Sequence, residues 1–354
     1  MNILIVKLSS LGDVLHTLPI VWDVRAKYPD ARVDWAVEEA YVELLQPLQR
    51  RGPARGIDRA IPVCLRRLKR NFSHDGFVRL EQMHRALRLT EYDLIIDTQG
   101  LIKSAAIGRL ARRSGSVAVV GAANRVHPAS YEPLARWFYT DAVPIAPRTH
   151  AVDQSRRVAA VAIGHPSDCA LTPPRFYDRQ ATASLLDAPC PLRDDFSRRV
   201  GRGGGRPYAL CIHSTARTSK RWGNSSWVAL GRELSRRGMT PVFLWGSRDE
   251  KTISDCFASE VPGAVVPRLF SLKELFSVVG NAQLAVGVDT GLIQLSAVLG
   301  KPTIAIYCAS PRWRSEPYWS PLARAVGDTL RSPSVNEVLL EIDATFDVRP
   351  ALNL

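Results

Sequence analysis

Three runs of the 354-residue chain carry side chains able to do chemistry, two of them with glycines that let backbone approach a ligand. The first is Lys7-Leu-Ser-Ser-Leu-Gly-Asp13, where Gly12 permits a tight turn and Asp13 either caps a following helix or faces a cleft. The second is His213-Ser-Thr-Ala-Arg-Thr-Ser-Lys220-Arg-Trp222. Its hydroxyls and backbone N–H groups, followed by the mobile point charge of Lys220, suit phosphate oxygens, although a polar surface loop has the same composition. The third, Gly287-Val-Asp-Thr-Gly-Leu292, ends an apolar run in Asp289-Thr290-Gly291. Either Asp289 or Thr290 is simply an N-cap there, or, with Gly291 allowing close backbone approach, the turn is a compact phosphate seat.

Other nucleotide motifs fail on inspection. Gly201-Arg-Gly-Gly-Gly-Arg206 has Arg where G-x-G-x-x-G needs its last glycine, and it follows no strand-like run. Gly300-Lys301-Pro302-Thr303 lacks the first P-loop glycine, Leu295 standing there, and carries Pro302 in place of Ser or Thr. A Ser nucleophile elbow, H-E-x-x-H and clustered metal ligands are absent from the sequence, so hydrolytic and zinc chemistry have no support and no metal or cofactor is expected.

The elements that must position these turns are read from hydrophobic period. Short apolar runs alternate with helical-period segments, which predicts an α/β fold of parallel strands and crossover helices. Such sheets bind ligands at the carboxyl ends of their strands, where all three turns lie. Expected strands in the first half are 3–7, 33–37, 60–63, 94–97 and 117–121, with helices over 14–27, 77–89 and 102–112. In the second half, strands over 208–213, 241–245, 264–266, 284–288 and 303–307 alternate with helices over 227–237, 250–258, 272–279 and 291–299. Prolines and a Gly-rich run make 144–207 read as linker and irregular surface. The expected organisation is a first domain over 1–150, a linker over 151–206, a second domain over 207–335 and a C-terminal helix over 336–354 that returns to the first domain.

Composition narrows the class. Hydrophobic residues are 46% and charged residues 23%, the balance of a globular protein. Six scattered cysteines without a C-x-x-C pair suit a reducing compartment. The run 2–7 is too short for a signal-peptide core, and no stretch approaches the roughly 20 apolar residues that span a bilayer. A net charge of +13 favours acidic partners. Much of it is concentrated between Pro47 and Thr90, where eleven basic residues face three acidic ones. Arg66, Arg67, Lys69 and Arg70 lead that stretch, beside Phe72. It reads as a solvated face, a nucleic-acid patch, or a surface for anionic head groups and sugar acids.

Taken together, the segments 3–19, Asp34-Trp-Ala-Val-Glu-Glu39, Asp97-Thr-Gln-Gly-Leu-Ile-Lys-Ser104, Thr149-His-Ala-Val152, 213–222, Trp245-Gly246 and Val288-Asp-Thr-Gly-Leu292 resemble the ADP-heptose:lipopolysaccharide heptosyltransferase family, and within it the enzymes that add the first heptose. The likeness runs in order along nearly the whole chain. It implies a GT-B fold, two Rossmann-like domains facing across a cleft. It implies a metal-independent, inverting transfer of L-glycero-D-manno-heptose from ADP-heptose to the first Kdo of Kdo-bearing lipid A, at the cytoplasmic face of the inner membrane.

By position, the resemblance makes Asp13 the general base, and enclosure helps raise a carboxyl whose ordinary pKa is about 3.9. It gives Thr215 and Lys220 to the diphosphate, Lys220 stabilising charge as ADP leaves. Asp289, Thr290 and Gly291 fall on the phosphate and heptose turn, and Glu250 on the ribose. Arg66, Arg67, Lys69 and Arg70 fall on the loop that reaches Kdo carboxylates and lipid A phosphates, with Lys7 and Lys103 as further acceptor contacts. Four residues depart from the family pattern. Gln294 stands where a donor-site His is usual, Ala216 replaces a Thr, and Glu316-Pro317 replaces a glycine pair. The nearest alternatives are an enzyme adding the second heptose or another sugar transferase of this fold. A non-catalytic protein binding anions, membranes or nucleic acid is the reading from a different class. The transferase reading itself expects no nucleic-acid partner.

Overall fold

The computed structural model describes residues 1–49, 55–65, 74–126, 131–164, 173–177, 179–192, 207–215 and 217–348. It divides into two compact units, Met1–Ala181 and Thr182–Leu354. Each is a parallel α/β sheet, as the alternation predicts.

The first unit has six strands: β1 (Asn2–Val6), β2 (Arg32–Glu38), β3 (Arg59–Val63), β4 (Leu94–Asp97), β5 (Ala118–Ala122) and β6 (Asp141–Val143). They pair in parallel in the order β3-β2-β1-β4-β5-β6. Ile3 to Val6 and Leu94 to Asp97 are buried throughout, the mark of central parallel strands covered on both faces. The single helix expected over 14–27 is two, Leu11–Thr17 and Pro19–Lys27. Pro19 has no N–H to continue the first ladder and sits at the start of the second helix, where that donor is not needed.

The expected linker from 151 is corrected at its start. Ala151–Ala162 is a helix of the first unit, and its buried Arg156 makes a two-pronged pair with Asp23 at 2.9 Å. The flanking prolines obscured it, but none falls inside the helix.

The second unit holds β7 (Tyr208–Ile212), β8 (Thr240–Phe243), β9 (Leu284–Val288), β10 (Thr303–Tyr307) and β11 (Ala323–Gly327), in the order β11-β10-β9-β7-β8. The strand expected over 264–266 is reduced to a parallel bridge between Val242 and Val265, which occupies the place of β3 in the first unit. Both units therefore follow one Rossmann-like plan. Gly287 is required by close approach of β9 to β7, since a Cβ there would sit 2.7 Å from the Cβ of Ile212. The C-terminal helix, Val335–Val348, packs on the second unit. Val338 and Ile342 are buried in the core of the second unit with Trp227, Leu230 and Ile304.

Candidate functional site

In the first unit the turn after β1 is braced from the loop after β4. The Gln99 side-chain carbonyl accepts the N–H groups of Leu8 and Ser9, each at 3.1 Å. Gln99 is itself fixed by Asp97, whose Oδ1 accepts the N–H of Gln99 at 2.8 Å and that of Gly100 at 3.3 Å. The other oxygen accepts the hydroxyls of Ser104 and Tyr139, both at 2.8 Å. Tyr139 reaches it across Gly121, where a Cβ would strike the phenol ring. Asp97 is fully buried, and burial pushes its carboxyl above the usual range against the pull of these four donors.

On that support stands Asp13, in the first turn of helix Leu11–Thr17. Its Oδ2 accepts the N–H of Ser10 at 3.0 Å and the Ser10 hydroxyl at 2.8 Å, so the carboxylate is aimed by the residue that starts its own helix. Lys7 is buried, and its ammonium donates to the Thr98 carbonyl at 2.8 Å. The Lys103 ammonium lies 3.4 Å from the Ser9 hydroxyl. The structure thus gathers Asp13, Lys7 and Lys103 about one turn. Arg66, Arg67, Lys69 and Arg70 lie outside the described residues, as does Ala216.

In the second unit the loop after β7 meets the turn after β9. Lys220 donates to Asp289 Oδ2 at 2.5 Å, and the Ser315 hydroxyl donates to Oδ1 at 3.0 Å. Burial alone would raise the Asp289 carboxyl. The Lys220 ammonium and the hydroxyls of Ser310 and Ser315 together outweigh it and hold the group below the ordinary range. Thr290 is the N-cap residue of helix Gly291–Val298, and its buried hydroxyl has no hydrogen-bond partner among the described residues. A cation therefore sits on the carboxylate beside the positive end of a helix, an arrangement suited to a diphosphate.

Gln294, expected as a donor contact, lies in the helix that follows the Asp289 turn. It is buried, and its amide nitrogen donates to the Ser315 carbonyl at 2.8 Å, tying the segment after β10 to the Asp289 turn. Thr215 is half-buried in the loop after β7, its hydroxyl 3.5 Å from the N–H of Arg217. Glu250 accepts the N–H of Gly246 at 2.7 Å and lines a cavity of about 70 Å³ with His213, Ser214, Arg221 and Asn224. His213 does not act as a cation there. Burial, then the nearby Arg221, lowers its pKa to about 4, and its Nε2 lies 2.7 Å from the Ser254 hydroxyl.

Sequence reasoning missed the working parts of Gln99, Tyr139 and Ser315. Gln99 lies in a segment already singled out, so its signal was present. Tyr139 and Ser315 reach their aspartates from 42 and 26 residues away, with no local pattern to reveal them.

Comparison with known proteins agrees with this architecture. The sequence profile of glycosyltransferase family 9 (heptosyltransferase) matches residues 80–339. Lipopolysaccharide heptosyltransferase 1 of Pseudomonas aeruginosa is 34% identical over 314 residues, covering 87% of this chain and 78% of the relative. The E. coli heptosyltransferase WaaC solved with ADP superposes with a TM-score of 0.77 at 29% identity, covering 98% of this chain and all of that one. The same E. coli protein with ADP-2-deoxy-2-fluoro heptose gives 0.74 at 29% identity, over 97% and 99% of the two chains. With its two Rossmann-like units on the GT-B plan, this chain belongs to glycosyltransferase family 9, the heptosyltransferases.

Proposed function

We propose that the protein transfers L-glycero-D-manno-heptose from ADP-heptose to the first Kdo of Kdo-bearing lipid A, by an inverting, metal-independent reaction. The observation that carries this reading is the Lys220 ammonium held on Asp289 at the start of helix Gly291–Val298, in a chain similar over 98% of its length to a relative solved with ADP.

Asp13 takes the proton of the acceptor hydroxyl, whose oxygen attacks the anomeric carbon from the face opposite the diphosphate. The bond from that carbon to the phosphate oxygen breaks, and its electron pair leaves with ADP. Lys220, the Thr215 hydroxyl and the N–H groups opening at Thr290 and Gly291 meet the charge that develops on the leaving phosphate. That provision of donors and a cation supports metal independence. Glu250 holds the nucleoside through its ribose, while Gln294 supports the donor turn through Ser315 rather than by charge.

Lys7 and Lys103, with Arg66, Arg67, Lys69 and Arg70, meet the carboxylates and phosphates of the acceptor. No helix among the described residues is long and apolar enough to cross a membrane, and the proposed place of work is peripheral, on the cytoplasmic face of the inner membrane.

Calorimetric titration with ADP-heptose, beside ADP and a UDP-sugar, tests the donor assignment. Selective binding of the adenine nucleotides is expected, followed by a one-heptose mass gain on Kdo-bearing lipid A. Absence of adenine-nucleotide binding by the folded protein overturns the donor, and transfer only to an acceptor already bearing heptose points to the second-heptose activity instead.

A further inference from the structure

We propose that the first unit docks on an anionic phospholipid bilayer through the groove between helix Ile102–Ala111 and the turn Pro133–Phe138. In this arrangement Trp137 and Leu134 enter the head-group boundary, and Arg109 and Arg136 meet lipid phosphates. The residues of this surface are other than Arg66 to Arg70, and its orientation toward the acceptor rests on the lipid-acceptor reading above.

Two large apolar side chains project from one short turn. Trp137 is 86% exposed and Leu134 is 56% exposed, while Ala135 between them is buried and anchors the turn. The turn is fixed to the helix beside it. The Glu132 N–H donates to the Gly100 carbonyl at 2.9 Å, and the Glu132 carboxylate accepts the N–H of Ile102 at 2.7 Å. Between the two elements lies a cavity of about 560 Å³ lined by Ile102, Arg109, Arg112, Leu134, Trp137 and Phe138. An exposed Trp on a held turn, above an apolar groove, has the amphipathic character that places Trp at membrane interfaces.

Charge selects the occupant. From Ile102 to Arg113 the sequence carries Lys103, Arg109, Arg112 and Arg113 and no acidic residue. Arg113 is paired with Glu91, and the Glu132 carboxylate is used on the helix start. Arg109 and Arg136 form no ion pair among the described residues, and both are exposed. Basic side chains around an apolar insertion match an anionic bilayer, where hydrophobic and electrostatic terms add. The position agrees. Lys103 follows Ile102 directly and places its ammonium at Ser9 of the Asp13 turn, so the groove starts where a lipid-anchored sugar has to be presented.

Co-sedimentation of the full-length chain with vesicles of phosphatidylcholine and phosphatidylglycerol, against phosphatidylcholine alone, tests this. The wild type is expected to partition onto the anionic vesicles. Leu134→Ser with Trp137→Ser, and separately Arg109→Glu with Arg136→Glu, are each expected to weaken partitioning about tenfold while leaving ADP titration unchanged. Equal partitioning by both variants overturns the proposal. So does concentration-dependent self-association that Trp137→Ser abolishes without any dependence on vesicles, which would make the surface an interface between copies. Heptose transfer to no acceptor, with Trp137-dependent vesicle binding intact, sinks the transferase reading and leaves the docking surface standing.

Discussion

Asp97 and Asp289 lie near the carboxyl ends of corresponding strands in the two units, β4 next to β1 and β9 next to β7, Asp97 as the last strand residue and Asp289 just beyond the strand. Both are buried, yet their carboxyls move in opposite directions. Asp97 is surrounded by neutral donors only, and burial pushes it up. Asp289 has the Lys220 ammonium and is held down despite burial. The corresponding strand end thus carries a scaffold in one unit, tying together the turn that bears Asp13, and a charged seat in the other. What distinguishes them is a single cation supplied by the loop after β7.

The comparison predicts that chemistry is lost from the first unit and donor binding from the second. Asp13→Ala is expected to lower the transfer rate about 10³- to 10⁴-fold, near the upper end for general-base removal, with ADP affinity unchanged by calorimetry. A near-normal rate removes Asp13 as the base. Lys220→Met leaves Asp289 buried without its cation and is expected to cost about 3–5 kcal/mol in denaturant unfolding, together with ADP binding. Adding Asp289→Asn to that variant is expected to restore part of the stability and none of the binding. Recovery of ADP affinity in the double variant would show that Lys220 serves only to neutralise Asp289.

Gln99→Ala leaves the N–H groups of Leu8 and Ser9 without their acceptor, at about 1–3 kcal/mol. Hydrogen exchange over residues 7–13 is expected to quicken and kcat to fall, with ADP affinity intact. Unchanged exchange there would mean that the brace does not hold the turn.

The smallest effect lies in pH dependence. A carboxyl raised in the folded state, as Asp97 is, contributes stability that is fully present below its unfolded pKa of about 3.9 and lost as pH rises through its folded value. A lowered one, as Asp289 is, contributes stability present above that unfolded pKa and lost as pH falls through its folded value. Asp97→Asn is therefore expected to gain stability relative to wild type as pH rises above about 4, and Asp289→Asn to lose it over the range where Asp289 ionises. Parallel pH profiles for the two variants would remove the distinction between scaffold and seat.

Much of the fold was legible because its signals are local. Central strands such as 3–6, 94–97 and 284–288 read as continuous apolar runs, since parallel strands are buried on both faces. The edge strands β6 and β11 gave no such run. Asp141 is exposed at one edge, and at the other Ala323, Arg324 and Ala325 are only half-buried, so solvent-facing positions break the pattern. The helix Ala151–Ala162 was hidden by the prolines around it.

The sequence by itself determined the three turns, because a strand, a glycine and a capping residue within a dozen positions specify a strand-to-helix turn whatever packs around it. It also named Asp13, Lys220 and Asp289. Only the tertiary structure decided what each carboxylate does. Lys220 reaches Asp289 across 69 residues and Tyr139 reaches Asp97 across 42, and parallel strand pairing alone brings such distant segments together. A carboxyl's charge state depends on the donors and cations within a few ångströms, and that neighbourhood is set by packing.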